Sequence, residues 1–183
     1  DLLSELITVD FTNSIRAGTS AVRAALDAVN AGSLDRVLVV SSDCRLPAPS
    51  SEFERTFGDG AAALLIGNDE VAVSVEGSYS LTSAFIDVWR TEHDRYSRTW
   101  EDRFVLTHGY QQITRQAVNG LLRKYNLKPG DFSKAVLYGP DARSHAALGR
   151  ALGLDPKTQV QDPLLTTVGN TGAASAMMML VAA

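Results

Sequence analysis

The chain has 183 residues, 45% hydrophobic and 21% charged, with a formal net charge of −4. That length carries one domain with its own core, and the acidic balance argues against nonspecific nucleic-acid binding, which needs a basic face. No apolar run reaches the roughly 20 residues that span a bilayer, and one cysteine with three scattered histidines leaves neither an internal disulfide nor the spacing of a zinc site.

Taken in chain order, residues 6–11 read as a short buried strand. Residues 18–30 read as a helix, with Val22, Ala25, Leu26 and Val29 on one face and Gly32 as its stop. Residues 36–40 form an unbroken apolar strand running into Ser41-Ser42-Asp43; the lack of alternation predicts burial on both faces, as in a parallel sheet covered by helices. Residues 47–54, with Pro47, Pro49 and clustered Ser, read as a loop. Two more buried strands are expected at 61–66 and 71–75. The densely charged stretch 89–103 reads as a solvated loop. Residues 104–125 carry a long helix, with Ile113, Ala117, Leu121 and Tyr125 in phase. A turn at 127–132 introduces a buried strand at 134–138. A short helix at 144–152 closes at Gly153 and Pro156, and 171–183 is a helix of small and apolar residues that should be buried on most sides. Alternation of this kind predicts an α/β layered domain. The start at Asp1 and the apolar, Ala-rich end read as cut edges of a longer protein. No basic leader with a cleavage site is visible, so the expected location is cytoplasmic.

Four segments stand out. The first is Asp10-Phe11-Thr12-Asn13-Ser14-Ile15-Arg16-Ala17-Gly18-Thr19, at the start of the first helix. The second is Phe57-Gly58-Asp59-Gly60-Ala61, ahead of a strand. The third is Leu137-Tyr138-Gly139-Pro140-Asp141, at a strand end. The fourth is Val168-Gly169-Asn170-Thr171-Gly172-Ala173-Ala174-Ser175. The second is not a phosphate cradle, because it lacks a GxGxxG or GK[ST] pattern and a strand follows it.

Together these segments resemble the thiolase superfamily, in the form carried by hydroxymethylglutaryl-CoA synthases and ketoacyl synthase III enzymes. In the first segment the family places a reactive Cys before Ala/Gly-Gly-Thr, where a helix N-terminus favours the thiolate. Ile15 occupies that nucleophile position here, and a sec-butyl group cannot attack a thioester. The neighbouring Ser14 is read as a small residue at a crowded turn, with a nucleophilic role as the lesser alternative. The second segment is similar to the family's F-G-D-G-A stretch. In the third, the family's His-Gln-Pro-Asn is replaced so that Tyr138 stands at the His and Asp141 at the Asn. A phenol with a reference pKa near 10 is a feeble base at neutral pH, but it can donate to an oxyanion; the alternative is a partly buried aromatic at a strand end. The fourth matches the family's G-N-T motif, whose Asn polarises the substrate carbonyl. Asn170 keeps that residue, and it also suits an N-cap before the last helix.

Further matches at Ser78-Tyr79, residues 87–90, Arg103-Phe104, Tyr110 and residues 127–132 resemble the archaeal and bacterial hydroxymethylglutaryl-CoA synthases. The resemblance implies a layered αβαβα thiolase sandwich that is incomplete, without the front of its first half and without its last strands. Residues 1–85 would form the back of the N-terminal half and residues 86–183 the C-terminal half. It implies no prosthetic group. A coenzyme A thioester would be substrate or ligand, and an acyl-carrier protein is the alternative carrier. Arg90, Arg95 and Arg98 are candidates for the CoA phosphates, set against the reading of their stretch as a solvated face. The implied assembly is a homodimer, or a heteromer with a thiolase or a zinc-ribbon/OB-fold protein. By family the activity is acyl transfer with carbon–carbon condensation. With Cys and His both replaced, the expectation is acyl-CoA binding without an acyl-cysteine, or support of a catalytic partner. The alternative is an altered decarboxylase, retro-condensing enzyme or acyltransferase using Asn170 and Tyr138. Cys44 and the three histidines, His93, His108 and His145, are read as unreactive: the Cys as a buried or loop thiol, the histidines as surface or locally bonded groups.

Overall fold

The computed structural model describes residues 5–12 and 14–183. Helix α1 (Ala17–Asn30) follows from its apolar spacing: Ala25 and Val29 are buried and Val22 is half-buried. Its last turn closes where Ala31 and Gly32 donate their N–H groups to the Asp27 and Val29 carbonyls.

Strand β1 (Arg36–Asp43) pairs antiparallel with β2 (Gly60–Gly67), from Arg36 opposite Gly67 to Asp43 opposite Gly60. This corrects the expectation of a parallel strand buried on both faces. Val39 and Ser41 point inward, while Leu38 and Val40 are 58% and 61% exposed. Side chains alternate faces along any strand, and α1 and the last helix, α6 (Ser175–Ala182), pack on one face only. The other face presents Leu38, Val40 and Leu65 as exposed apolar side chains. Between the two strands, a five-residue helix α2 (Glu52–Thr56) occupies part of the expected loop.

Two expected strands do not form. Residues 6–11 and 71–75 are irregular, with Ile7 77% and Val73 78% exposed. A strand needs a neighbour to receive its backbone hydrogen bonds, and neither segment has one among the described residues. Segment 134–138 keeps a single parallel bridge, in which Ala135 N–H donates to Gln159 O at 2.7 Å and Gln161 N–H to Ala135 O at 3.0 Å.

The charged stretch after residue 88 holds more structure than its composition indicates. β3 (Val88–Trp89) and β4 (Arg98–Thr99) form an antiparallel hairpin. Trp89 and Trp100 hold their ring centroids 5.0 Å apart, the kind of pair that stabilises short ribbons. Glu101 caps the next helix by accepting the Arg103 and Phe104 N–H groups. That helix runs from α3 (Asp102–Phe104) through a π-helical turn (Val105–Gln111) into α4 (Gln112–Tyr125). Such π turns recur at functional sites, and this one buries Tyr110. After a 3-10 turn (Pro129–Asp131), α5 (Ala142–Ala151) begins at Asp141, whose carboxylate accepts the Ser144 N–H at 2.8 Å. A second 3-10 turn (Gly172–Ala174) leads into α6.

Two apolar clusters hold these layers. One joins Ala25 and Val39 with Met177, linking α1, the sheet and α6. The other joins Tyr110, Leu148, Leu152, Leu154 and Val160 around α5. Tyr138 packs against the second cluster. Among the described residues, no helix is long and apolar enough to cross a membrane.

Candidate functional site

Three chain segments converge on Asn170. The Phe57-Gly58 segment lies beside it as a parallel bridge: Asn170 N–H donates to Thr56 O at 2.7 Å, and Gly58 N–H to Asn170 O at 3.2 Å. A side chain at residue 58 would place its Cβ 1.8 Å from the Val168 carbonyl oxygen, so only glycine permits this approach. The end of β1 supplies the second segment. Asp43 accepts the Ala173 N–H at 2.9 Å, and Arg45 Nη2 donates to both Asn170 Oδ1 (2.7 Å) and Asn170 O (2.8 Å). The third segment is the strand end carrying Tyr138, whose hydroxyl accepts from Asn170 Nδ2 at 2.9 Å.

Asn170 is buried, 4% exposed, and Gly172 N–H also donates to its Oδ1 at 3.1 Å. The Arg45 side chain is 12% exposed, stacks 3.9 Å from the Phe57 ring centroid, and holds Nε 3.7 Å from Asp43 Oδ2. Beneath Tyr138, the buried Tyr110 donates its hydroxyl to the Tyr138 carbonyl at 2.8 Å. Tyr138 keeps part of its surface exposed, yet its phenol lies deep among protein atoms. Burial raises its pKa above the ordinary value of 10.0, against the Asn170 hydrogen bond and the Arg45 charge, which pull it down. The phenol is therefore neutral at physiological pH, and in its observed hydrogen bond it accepts from Asn170.

Tyr138 and Asn170 thus meet directly. Arg45, which the sequence reading passed over beside Cys44, completes the network. Its signal was weak: one arginine after a strand end, with no motif around it. Ile15 sits half-buried just ahead of α1, and Asn13 of the same motif lies outside the described residues. The helix start reaches the Asn170 turn through Gly18, where an added Cβ would lie 2.7 Å from Ser41 Oγ and 2.8 Å from Ala173 O. Ser14 Oγ accepts the Arg16 N–H at 3.1 Å, the local bond of a turn residue. Asp141 serves as the cap of α5.

The three other arginines fall on the β3–β4 hairpin. Arg90 is exposed, Arg98 pairs with Asp94, and Arg95 lies 5.3 Å from the Tyr96 ring centroid. Arg95, Tyr96 and Arg98 border one shallow depression of about 380 Å³. The loop docks next to the site, because Ser97 N–H donates to Leu46 O at 3.0 Å, one residue past Arg45.

Cys44 is exposed, and a hydrogen bond to Asp59 is the largest cause of a raised thiol pKa, so it is held as the unreactive thiol. Of the two readings of the histidines, surface or locally bonded, His145 takes the second, with a hydrogen bond to the Leu137 backbone. It is 4% exposed, its Nε2 has no partner among the described residues, and burial lowers its pKa. Among the described residues, no group of three or more His, Cys, Asp or Glu is placed to hold a metal ion. Chemically, the network is a chain of hydrogen bonds running from the Arg45 guanidinium through the Asn170 amide to the Tyr138 phenol.

No protein-family model matches the chain. Among curated proteins it is similar to hydroxymethylglutaryl-CoA synthases. That of Methanopyrus kandleri is 30% identical over 179 residues, spanning 98% of this chain and 51% of the relative. That of Methanosarcina acetivorans is 33% identical over 181 residues, spanning 97% and 51%. The chain therefore spans about half the length of the curated relatives it matches. Among solved structures, MvaS in complex with 3-hydroxy-3-methylglutaryl coenzyme A superposes with a TM-score of 0.82 at 20% identity, covering 98% of this chain and 52% of that one. A 3-oxoacyl-(acyl carrier protein) synthase III from Pseudomonas aeruginosa gives 0.78 at 22% identity, covering 92% and 56%. With sequence relatives and superposition in agreement, the chain has the thiolase-like α/β fold over about half the length of these proteins.

Proposed function

We propose that this chain is a thiolase-fold subunit that binds acyl-CoA or acyl-carrier thioesters without forming an acyl-cysteine, alone or in support of a catalytic partner. One observation carries the reading. Asn170 and Tyr138 are joined and braced by Arg45, while the residue at the family's nucleophile position is Ile15. A site that keeps its carbonyl-facing donors but lacks a sulfur nucleophile is suited to holding a thioester. Support comes from two solved relatives, one in complex with 3-hydroxy-3-methylglutaryl coenzyme A and one, a hydroxymethylglutaryl-CoA synthase, complexed with CoA. Arg90, Arg95 and Arg98 are assigned to the CoA phosphates, with the loop of 90–97 reaching the site through Leu46. Association as a homodimer, or with a thiolase or zinc-ribbon/OB-fold partner, is supported by the apolar outer face of β1–β2.

The test is incubation with acyl-labelled acetyl-CoA followed by denaturation and, separately, equilibrium binding. The label should bind to the native chain and be released entirely on denaturation; the Ile15→Cys variant should retain it covalently. Stable label on the wild-type protein refutes the reading.

A second reading is an altered enzyme that decarboxylates a malonyl thioester to CO2 and an enolate, or cleaves a 3-oxoacyl thioester with water or free CoA thiol taking the released acyl group, using Tyr138 and Asn170 to stabilise the enolate. The neutral, enclosed phenol favours it. Turnover of malonyl-CoA or acetoacetyl-CoA, lost in Asn170→Ala, would establish it. No turnover in the wild type removes it.

A further inference from the structure

We propose that Arg45 is a positioning residue that fixes the Asn170 amide so that Tyr138 presents its O–H to the carbonyl oxygen of a bound thioester. This rests on the thioester-binding reading above. The argument begins with what each group can do. Arg45 Nη2 and the Gly172 N–H are donors only. The Asn170 side-chain atom they share, at 2.7 Å and 3.1 Å, must therefore be the carbonyl oxygen. That leaves the amide nitrogen facing Tyr138, at 2.9 Å from its hydroxyl. Tyr138 is thus an acceptor toward Asn170, and its own hydrogen has no acceptor among the described residues. The phenol hydrogen is the unspent donor of the network.

Arg45 does more than choose the orientation. Its second bond to Asn170, on the backbone carbonyl at 2.8 Å, and its stacking on Phe57 fix the guanidinium itself. A cation on the amide oxygen polarises the amide N–H, which in turn makes the phenol a stronger donor, since chained hydrogen bonds reinforce one another. Of the two side chains, Asn170 is 4% exposed and has both ends of its amide engaged, while Tyr138 keeps part of its surface exposed and its deep-set phenol holds the network's spare hydrogen. Without Arg45 only the Gly172 N–H, at 3.1 Å, opposes a flip of the amide, and a flipped amide would turn its oxygen to the phenol and draw the hydroxyl hydrogen inward.

The test compares two ligands on the full chain by calorimetry: acetyl-CoA and S-ethyl-CoA, the thioether that lacks the carbonyl oxygen. The wild type should favour acetyl-CoA by roughly fivefold, the worth of one neutral hydrogen bond. Tyr138→Phe should bring that ratio to about one, with thioether affinity unchanged. Arg45→Met should lower the ratio to below about two, and Arg45→Lys, which keeps a donor and a charge, should restore part of it. Arg45→Lys also serves where Arg45→Met fails to fold. A ratio unchanged in both Arg45 variants overturns the positioning role. A ratio that survives Tyr138→Phe overturns the donor assignment. Equal binding of both ligands by the wild type overturns this inference alone, whereas binding of neither overturns the thioester-binding reading along with it.

Discussion

Removing one oxygen from Tyr138 measures how much the site contributes to the fold. In Tyr138→Phe the Asn170 Nδ2 loses the acceptor it holds at 2.9 Å. Asn170 is 4% exposed, so water has little access to replace that partner. Leaving a buried donor unsatisfied costs about 1–3 kcal/mol. The packing of the ring against Tyr110, with centroids 6.2 Å apart at 79°, is retained, because Phe keeps the ring. The Tyr110 hydrogen bond goes to the backbone of residue 138 and is also retained. The expected net loss is about 2 kcal/mol, which for a chain of this size lowers Tm by roughly 4–8 °C. Urea unfolding followed by tryptophan fluorescence gives the free energy, and a thermal melt gives Tm. An unchanged slope against urea would show that only stability has moved. A variant as stable as the wild type, within about 0.5 kcal/mol, would show that the amide–phenol bond is not made in solution. The Asn170–Tyr138 site would then have to be abandoned.

Two further outcomes follow from other parts of the molecule. Gly58→Ala should destabilise by about 1–3 kcal/mol, as overpacking does. Its Cβ would sit 1.8 Å from Val168 O and push apart the segments that hold Asn170. Stability equal to the wild type in the same urea assay would refute that contact. His145 gives a pH signature. Its folded pKa lies below the ordinary 6.5 because burial disfavours the charged ring. The unfolded chain then binds the proton more readily, so this contribution to stability is complete above about pH 6.5 and is lost as pH falls toward the depressed value. His145→Gln should flatten that part of the curve. Carboxylate losses, from Asp94 and Asp155 whose hydrogen bonds hold their pKa below the ordinary value, begin only below about pH 4, so the two windows are separable. An unaltered acid limb between about pH 6.5 and 5 would count against the buried, neutral ring.

Sequence alone determined the longer helices and the residue types of the site, but not the short helix α2, which falls in an expected loop. The spacing of Val22, Ala25 and Val29 placed α1, and the small-residue run after Asn170 placed α6, because helical periodicity and capping are local properties. The pairing of Tyr138 with Asn170 was legible only through a resemblance, since 32 residues separate them. What the tertiary structure decided was everything that needs a neighbour. The apolar run at 36–40 carries no information on which face will be covered; only the placement of α1 and α6 on one side turned it into an alternating antiparallel strand. Segments 6–11 and 71–75 have strand-like composition, but a strand is made by its partner's hydrogen bonds, and among the described residues none pairs with them. Arg45 shows the same limit within the site. An arginine after a strand end is usually solvated. It becomes a buried clamp on Asn170 only because a turn 125 residues later folds back onto it.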